Sequence, residues 1–113
     1  MTKTEKKMDN NLCKVLTVVC EEAKDEIQGF QWLTHTVNYA NFPVSLKIIC
    51  VFDSNADIAK LTASKQEQRL QGLLTQALNA VDIKLKNISK QVQFDSEENC
   101  SRDHAGNWAK RLG

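Results

Sequence analysis

The chain has 113 residues, of which 42% are hydrophobic and 26% are charged, and these fractions are typical of a globular domain rather than a disordered or fibrous protein. Its 15 basic and 14 acidic residues leave a net charge of +1, which excludes an overall field that would steer nucleic acid or an anionic membrane. A chain of this length has room for one hydrophobic core. The sequence therefore predicts a loose N-terminal arm over 1–8 and a single α/β domain over 9–113.

The N-terminal segment MTKTEKKMDNN is charged and lacks the apolar stretch behind it that a signal peptide needs. No run of the chain approaches the roughly 20 apolar residues of a membrane-spanning helix. We therefore expect a cytoplasmic protein that does not bind a membrane.

After the arm, the pattern predicts an amphipathic helix that is capped within Asp9–Asn11 and ends near Gly29. Its apolar residues recur close to the helical period of 3.6: Leu12, Val15, Leu16, Val19, Cys20, Ala23 and Ile27.

Residues 30–39 alternate in polarity and predict a strand. One face carries Leu33, His35, Val37 and Tyr39, and the other carries Trp32, Thr34, Thr36 and Asn38. The nearly continuous apolar run 44–52 then predicts a central strand that is buried on both faces.

A short helical turn is predicted at 57–61, and Ser64 with Glu67 predicts a capping box for a second amphipathic helix. Residues 82–94 alternate again and predict either one interrupted strand, which we favour, or two short strands. A short helix is predicted at 96–103. The order helix, strand, strand, helix, strand, helix predicts a small two-layer sandwich of the α+β or α/β class. Its sheet has three to four strands with two amphipathic helices packed on it.

Four cysteines, Cys13, Cys20, Cys50 and Cys100, lie in apolar or helical patterns and lack the close CxxC spacing of a zinc site. Cys13 and Cys20 are seven residues apart and share one face of the first helix. The sequence favours reduced cysteines in the core over a metal or redox role.

Two Phe-Asp-Ser tripeptides follow strand patterns, at Phe52–Ser54 and Phe94–Ser96. Parallel strands would bring both Asp-Ser pairs to one edge of the sheet, where open α/β sheets place ligands. Asp53 and Asp95 could then bind Mg²⁺ or act as acid and base, with His104 as a further base. The alternative, which we favour, is that each pair caps the helix that follows it, and that His104 is a surface histidine.

The aromatic residues Trp32, Tyr39, Phe42 and Trp108 are candidates for a partner-binding surface, although Trp32 could also pack under the first helix. His35 is expected to be a partly buried side chain rather than a metal ligand. A basic strip of Lys84, Lys86, Lys90, Lys110 and Arg111 could bind nucleic acid, but lysines on an exposed strand also protect its edge from pairing.

The stretches FQWLTHTVNYANFPVSLKIICVFD, QVQFDSEENC and HAGNWAKRL resemble a small bacterial family of uncharacterised proteins of about this length. Some members of that family are described as Fis-type transcriptional regulators, and a Fis-like protein ends in a helix-turn-helix. The tail HAGNWAKRLG is too short for two helices, so we do not predict that mode of DNA binding. The resemblance implies no established activity and supplies no functional residues.

Phosphate-binding loops, nucleophile elbows, HExxH and Rossmann glycine patterns are all absent from the sequence, and we expect no cofactor and no metal. The leading hypothesis is a non-enzymatic module that acts through a protein partner or by self-association, for instance as a homodimer. The alternatives are a metal-dependent hydrolase or nuclease that uses Asp53 and Asp95, and a nucleic-acid-binding protein that uses the lysine strip.

Overall fold

The computed structural model describes residues 2–112, so Met1 of the predicted arm and Gly113 of the predicted domain lie outside the described residues. A 3₁₀ turn at Tyr39–Asn41 accompanies six helices and three strands within that range. They are α1 (Lys3–Glu26), β1 (Phe30–Thr36), β2 (Lys47–Phe52), α2 (Asn55–Ala63), α3 (Gln66–Asn79), α4 (Ile88–Gln91), β3 (Val92–Ser96), α5 (Glu97–His104) and α6 (Trp108–Leu112). The prediction of a small α+β fold is confirmed.

The three strands form one mixed sheet in the order β1-β2-β3. β1 pairs antiparallel with β2, with Leu33 opposite Cys50 and His35 opposite Ile48. β2 pairs parallel with β3, with Val51 opposite Asp95, and the crossover between them carries α2, α3 and α4. β2 is therefore the central strand, as its apolar run predicts, and all but its first residue are buried.

The hydrophobic core lies between one face of the sheet and the helices α1 and α3. Leu12, Leu16, Val19 and Ala23 form the buried stripe of α1, at the spacing that a helix presents on one side. They belong to one continuous cluster with the buried leucines of α3 and with Ile48, Cys50 and Phe52 of β2. The two amphipathic helices thus bury their apolar faces against the same side of the sheet.

The opposite face of the sheet is covered in part by the C-terminal helices. Ile49 and Val51 point to that face, and both are buried although they lie outside the main core cluster. Trp108 of α6 packs edge-on against Trp32 of β1, with 4.9 Å between the ring centroids. The predicted two-layer arrangement therefore gains a partial third layer, because α6 folds back over the sheet.

The first helix begins earlier than predicted, because the segment described as a loose arm is helical from Lys3. Thr2 is the N-cap, and its side chain accepts a hydrogen bond from the Glu5 backbone while the Glu5 carboxylate accepts one from the Thr2 backbone. This capping box satisfies two backbone donors at the helix start. The residues that follow include lysines, a glutamate and a methionine, which are good helix formers. A polar segment of this composition can therefore form a solvent-exposed helix.

The capping box predicted at Ser64 and Glu67 is wrong. α3 begins after Lys65, which makes no side-chain cap. The Ser64 hydroxyl instead donates to the carbonyl of Leu61 at the end of α2, and it accepts a hydrogen bond from the backbone of Gln66. Ser64 therefore links the end of α2 to the start of α3 and does not form the predicted capping box with Glu67.

The long interrupted strand predicted over 82–94 is also wrong, since pairing is limited to β3. Asp82 adopts a left-handed backbone conformation with φ of 62°, and 88–91 form a helical turn. Ile83 is nevertheless buried in the core, which explains the apolar pattern without a strand. Gln91 fixes this crossover to the β2 side, because its amide donates to the carbonyls of Pro43 and Leu46 at 2.9 and 3.0 Å.

Within residues 2–112, no helix combines the length and the hydropathy that crossing a bilayer requires.

Candidate functional site

A groove of about 220 Å³ runs between α1 and the outer strand β1. Its α1 wall comprises Cys13, Leu16, Thr17, Cys20 and Glu21, and its β1 wall comprises Leu33, Thr34 and His35. Consecutive side chains on a strand point to opposite faces. A wall that contains three consecutive residues of β1 therefore follows the free edge of that strand.

Three side chains with metal-binding atoms meet at one end of this groove. Asp9 and Cys13 come from α1 and His35 comes from β1, and their ligand atoms all lie within 4.8 Å of one another. The phenol of Tyr39 donates a hydrogen bond of 2.7 Å to Oδ1 of Asp9, and His35 Nε2 is 3.7 Å from the same oxygen. The turn after β1 thus places a tyrosine beside a carboxylate of the first helix.

Two acidic protons in this cluster are held more tightly than usual. Partial desolvation of the thiol at the wall of the groove, and secondarily the negative charge of Asp9, raises the pKa of Cys13, although the residue is exposed. Burial and the hydrogen bond to Asp9 raise the pKa of Tyr39 strongly, so the phenol remains a hydrogen-bond donor at neutral pH. Cys13 is therefore a thiol at neutral pH and lies next to an acceptor carboxylate.

The four cysteines are free, and the structure places them differently. Cys50 and Cys100 are buried, as predicted, and burial raises the pKa of Cys50 to about 12. Cys13 is exposed, so its predicted place in the core is wrong, and Cys20 is half-buried. Cys13 and Cys20 do share one helix face, and that face borders the groove rather than the core alone.

The two Asp-Ser pairs do emerge at the same edge of the sheet, because β2 and β3 are parallel. Ser54 and Ser96 are the N-caps of α2 and α5, and each side chain accepts a backbone hydrogen bond three residues further along. The two caps are joined, since the Ser96 hydroxyl donates to Asn55 Oδ1 at 2.7 Å and the Asn55 amide donates to Asn99. The capping role of these serines is thereby observed directly.

Asp95 lies in an ion pair rather than in a free carboxylate pair with Asp53. Arg111 of α6 donates to both carboxylate oxygens of Asp95, with Nε 2.6 Å from Oδ2 and Nη2 3.0 Å from Oδ1. Partial burial acts to raise the pKa of Asp95, but the hydrogen bonds from Arg111, the Ser96 backbone and Asn99 lower it overall. These contacts tie α6 to the end of β3.

The remaining members of that candidate site are dispersed. The side chain of Asp53 is exposed, while its backbone bonds to Gly29 and Glu98. His104 is half-buried at the end of α5, with Nδ1 3.4 Å from Nη1 of Arg111. Asp53, Asp95 and His104 are not brought together as a three-ligand group in residues 2–112, whereas the three side chains at the groove are.

The four aromatic residues singled out from the sequence are half-buried and engaged within the chain. Trp32 packs neither under α1 nor at a bare surface, because it contacts Trp108 and both indole N–H groups donate to Glu97, at 2.7 and 3.2 Å. Tyr39 stacks at 5.6 Å from Phe42, which packs against the core. Their principal contacts are therefore internal.

The basic strip is not formed along one strand. Lys84 and Lys86 lie in the loop 82–87, Lys90 lies in α4, and Lys110 lies in α6. All four lysines are exposed, but Arg111 is committed to Asp95 and also contacts Asp103. The lysines therefore do not protect a strand edge.

No family model matches this sequence, and neither a curated protein nor a solved structure matches the chain. The resemblance to a bacterial family thus stays a prediction.

Sequence reasoning took Asp9 as a helix cap, although it lies inside α1, and assigned His35 and Cys13 to structural roles. One signal was present, because Asp9 and Cys13 are four residues apart and such residues lie on one helix face. The other half of the site lies on a strand, and only the packing of α1 across β1 brings His35 to them.

Proposed function

We propose that this protein is a self-associating module in which the free edge of β1 pairs with β1 of a second copy. The proposal rests on the outer edge of β1, which has no strand partner in the described part of the chain. β1 is the outer strand of the sheet, with β2 as its one neighbour in the described part of the chain. The main chain of 31–36 forms no hydrogen bond there other than those of the sheet, so its outward-facing groups are available.

The sequence of this edge supports pairing. Natural proteins protect exposed edge strands with charges, prolines, bulges or covering segments. β1 has the sequence FQWLTHT, which contains no lysine, arginine, carboxylate or proline and is rich in aromatic and β-branched residues. Its register shifts between Phe30 and Trp32, so the bulge confines regular pairing to 32–36.

A second copy of the chain fits this edge because β1 contains no lysine, arginine or carboxylate, so such charges do not repel a second β1 strand. An isologous dimer would join the two three-stranded sheets into one mixed sheet of six strands, in which the two β1 strands pair antiparallel across a twofold axis. The groove beside the edge gives such a contact side-chain specificity, as in other modes of strand addition. Leu33 and Cys20 are the half-buried apolar groups that line it.

The proposal is tested by sedimentation equilibrium over a wide range of protein concentration, comparing Thr34→Lys with Thr75→Lys. Position 34 is the midpoint of 32–36, so antiparallel pairing brings two lysines close to each other near the twofold axis, where like charges are unfavourable. Thr75 is exposed on α3 and provides the same substitution away from the edge. We expect Thr34→Lys to weaken dimerisation by about tenfold or more, equivalent to at least ~1.4 kcal/mol, and Thr75→Lys to leave it unchanged.

Far-ultraviolet circular dichroism of both variants establishes that each retains the native secondary structure. A wild-type chain that stays monomeric throughout the concentration range would overturn the proposal. Equal weakening by the two lysines would also overturn it, because the effect would then reflect charge in general rather than the β1 edge.

A further inference from the structure

We propose that Asp9, Cys13 and His35 bind one Zn²⁺ ion through three protein ligands, with solvent in the fourth position. This inference goes beyond self-association and does not rest on it, because the three ligands come from a single copy. It assigns a metal site at the end of the groove between α1 and β1.

The three side chains form a donor set that suits zinc. A thiol, an imidazole and a carboxylate are the three side-chain types that zinc prefers, and three protein ligands with one solvent position are typical of open zinc sites. Soft thiolate and imidazole donors disfavour the hard cations Mg²⁺ and Ca²⁺, which take oxygen ligands. The composition of the cluster thus selects a zinc-like metal rather than the magnesium considered for Asp53 and Asp95.

The spacing of the three ligand atoms is close to that of a zinc site. Bond lengths of about 2.0–2.3 Å in a tetrahedral zinc site place neighbouring ligand atoms roughly 3.3–3.8 Å apart. The three ligand atoms here already lie within 4.8 Å of one another. Side-chain rotations that bring the three ligand atoms closer together by about 1 Å would therefore complete the site. Asp9 and Cys13 are one helical turn apart on α1, which places both side chains on the same helix face.

Tyr39 holds one of the three ligands in place from outside the cluster. Tyr39 donates to Oδ1 of Asp9, the oxygen that lies 3.7 Å from His35 Nε2, and this hydrogen bond restricts rotation of the carboxylate. Hydrogen bonds of this kind orient metal ligands, and their removal typically weakens affinity by about 10–100-fold. Tyr39 is thus a positioning residue for the proposed site.

Binding replaces the S–H bond of Cys13 by an S–Zn bond, and the thiol proton passes to solvent. Cys13 is exposed, so the metal would be accessible to water and to a small ligand. The fourth position therefore suits exchangeable donors such as water, an anionic oxygen or a small thiol.

The site is tested with Co²⁺ as a spectroscopic substitute for Zn²⁺ on untagged, reduced protein. We expect one Co²⁺ per chain, a thiolate-to-cobalt charge-transfer band in the near ultraviolet and visible bands of tetrahedral intensity. Zn²⁺ should displace the cobalt and abolish these bands, which gives its affinity by competition.

Variants identify the ligands. Cys13→Ser should abolish the charge-transfer band, and His35→Gln should weaken cobalt binding by at least about a hundredfold. Tyr39→Phe should weaken it by about tenfold while preserving the bands, because the residue acts through Asp9. The matched control is Cys20→Ala, which changes another cysteine of the same groove outside the three-ligand cluster and should leave both the spectrum and the affinity unchanged.

Circular dichroism of each variant distinguishes a lost ligand from a lost fold. A charge-transfer band that survives in Cys13→Ser, or that disappears in Cys20→Ala, would overturn the assignment. Weak octahedral bands without thiolate charge transfer in the wild-type protein would do the same.

Discussion

Replacing Gly29 by alanine should destabilise this fold far more than the same change at another glycine of equal backbone conformation. Gly29 connects α1 to β1 with φ of +79°, and a Cβ there would overlap the side chain of Asp57 at the start of α2. The left-handed conformation costs about 1–2 kcal/mol for a residue with a side chain. Overpacking typically adds about 1–3 kcal/mol, so we expect a total loss of about 2–5 kcal/mol.

The backbone has little freedom to relieve this overlap, because the carbonyl of Gly29 accepts a hydrogen bond of 2.9 Å from the Asp53 backbone. Gly106 provides the matched control, since its φ is +81° and a Cβ there would meet nothing within 4 Å. Gly106→Ala should therefore cost only the conformational part, about 1–2 kcal/mol. Gly72→Ala, in the exposed face of α3 and also without a neighbour within 4 Å, should stabilise the protein by about 0.5–1 kcal/mol.

The free energy of unfolding would be measured by urea denaturation followed by circular dichroism. A double-mutant cycle with Asp57→Gly isolates the contact, because this change removes all three of the side-chain atoms nearest to the added Cβ. Asp57→Gly should itself destabilise α2, but it should recover the overpacking part of the Gly29→Ala loss. The reasoning is refuted if Gly29→Ala costs no more than Gly106→Ala, or if the two changes in the cycle are additive.

Two other variants replace side chains that hold α6 and the crossover between β2 and β3 in place. Arg111→Gln should destabilise the protein at neutral pH, and its difference from wild type should shrink as the solution is acidified. The pKa of Asp95 is lower in the folded than in the unfolded state, so the stabilisation is fully present above the ordinary value of 3.8 and is lost as pH falls below that value. Urea denaturation at a series of pH values measures the difference in stability between Arg111→Gln and wild type. A difference that does not change with pH would contradict this prediction. Gln91→Leu should lower the free energy of unfolding by about 2–3 kcal/mol, because it leaves the carbonyls of Pro43 and Leu46 without their side-chain donor. A decrease below ~1 kcal/mol in thermal and urea unfolding would show that water replaces the amide as the donor.

Local patterns in the sequence were sufficient for most of the fold. The apolar period of α1 and α3, the alternation of β1 and the continuous apolar run of β2 each follow from side-chain direction in a helix or a strand. Ser54 and Ser96 were identified as caps for the same reason, since a cap acts on backbone groups two or three residues away. These elements and their order predict the mixed α+β architecture that the structure has.

Two segments were misassigned because local patterns there had more than one physical meaning. The alternation over 82–87 indicated a strand, yet Ile83 is buried by the core without pairing to a neighbouring strand. Ser64 and Glu67 have the spacing of a capping box, but the backbone donors they would satisfy depend on where α2 ends, which is set by packing.

The sequence by itself determined the elements, their amphipathic faces and the class of fold, because these depend on interactions between residues close in the chain. Only the tertiary structure decided which polar side chains meet. Tyr39 lies 30 positions beyond Asp9, and Arg111 lies 16 positions beyond Asp95, yet each pair is joined by a hydrogen bond. The groove and its three-ligand cluster also depend on tertiary packing. They require α1 to cross β1 in one particular position, and the packing of the hydrophobic core fixes that position.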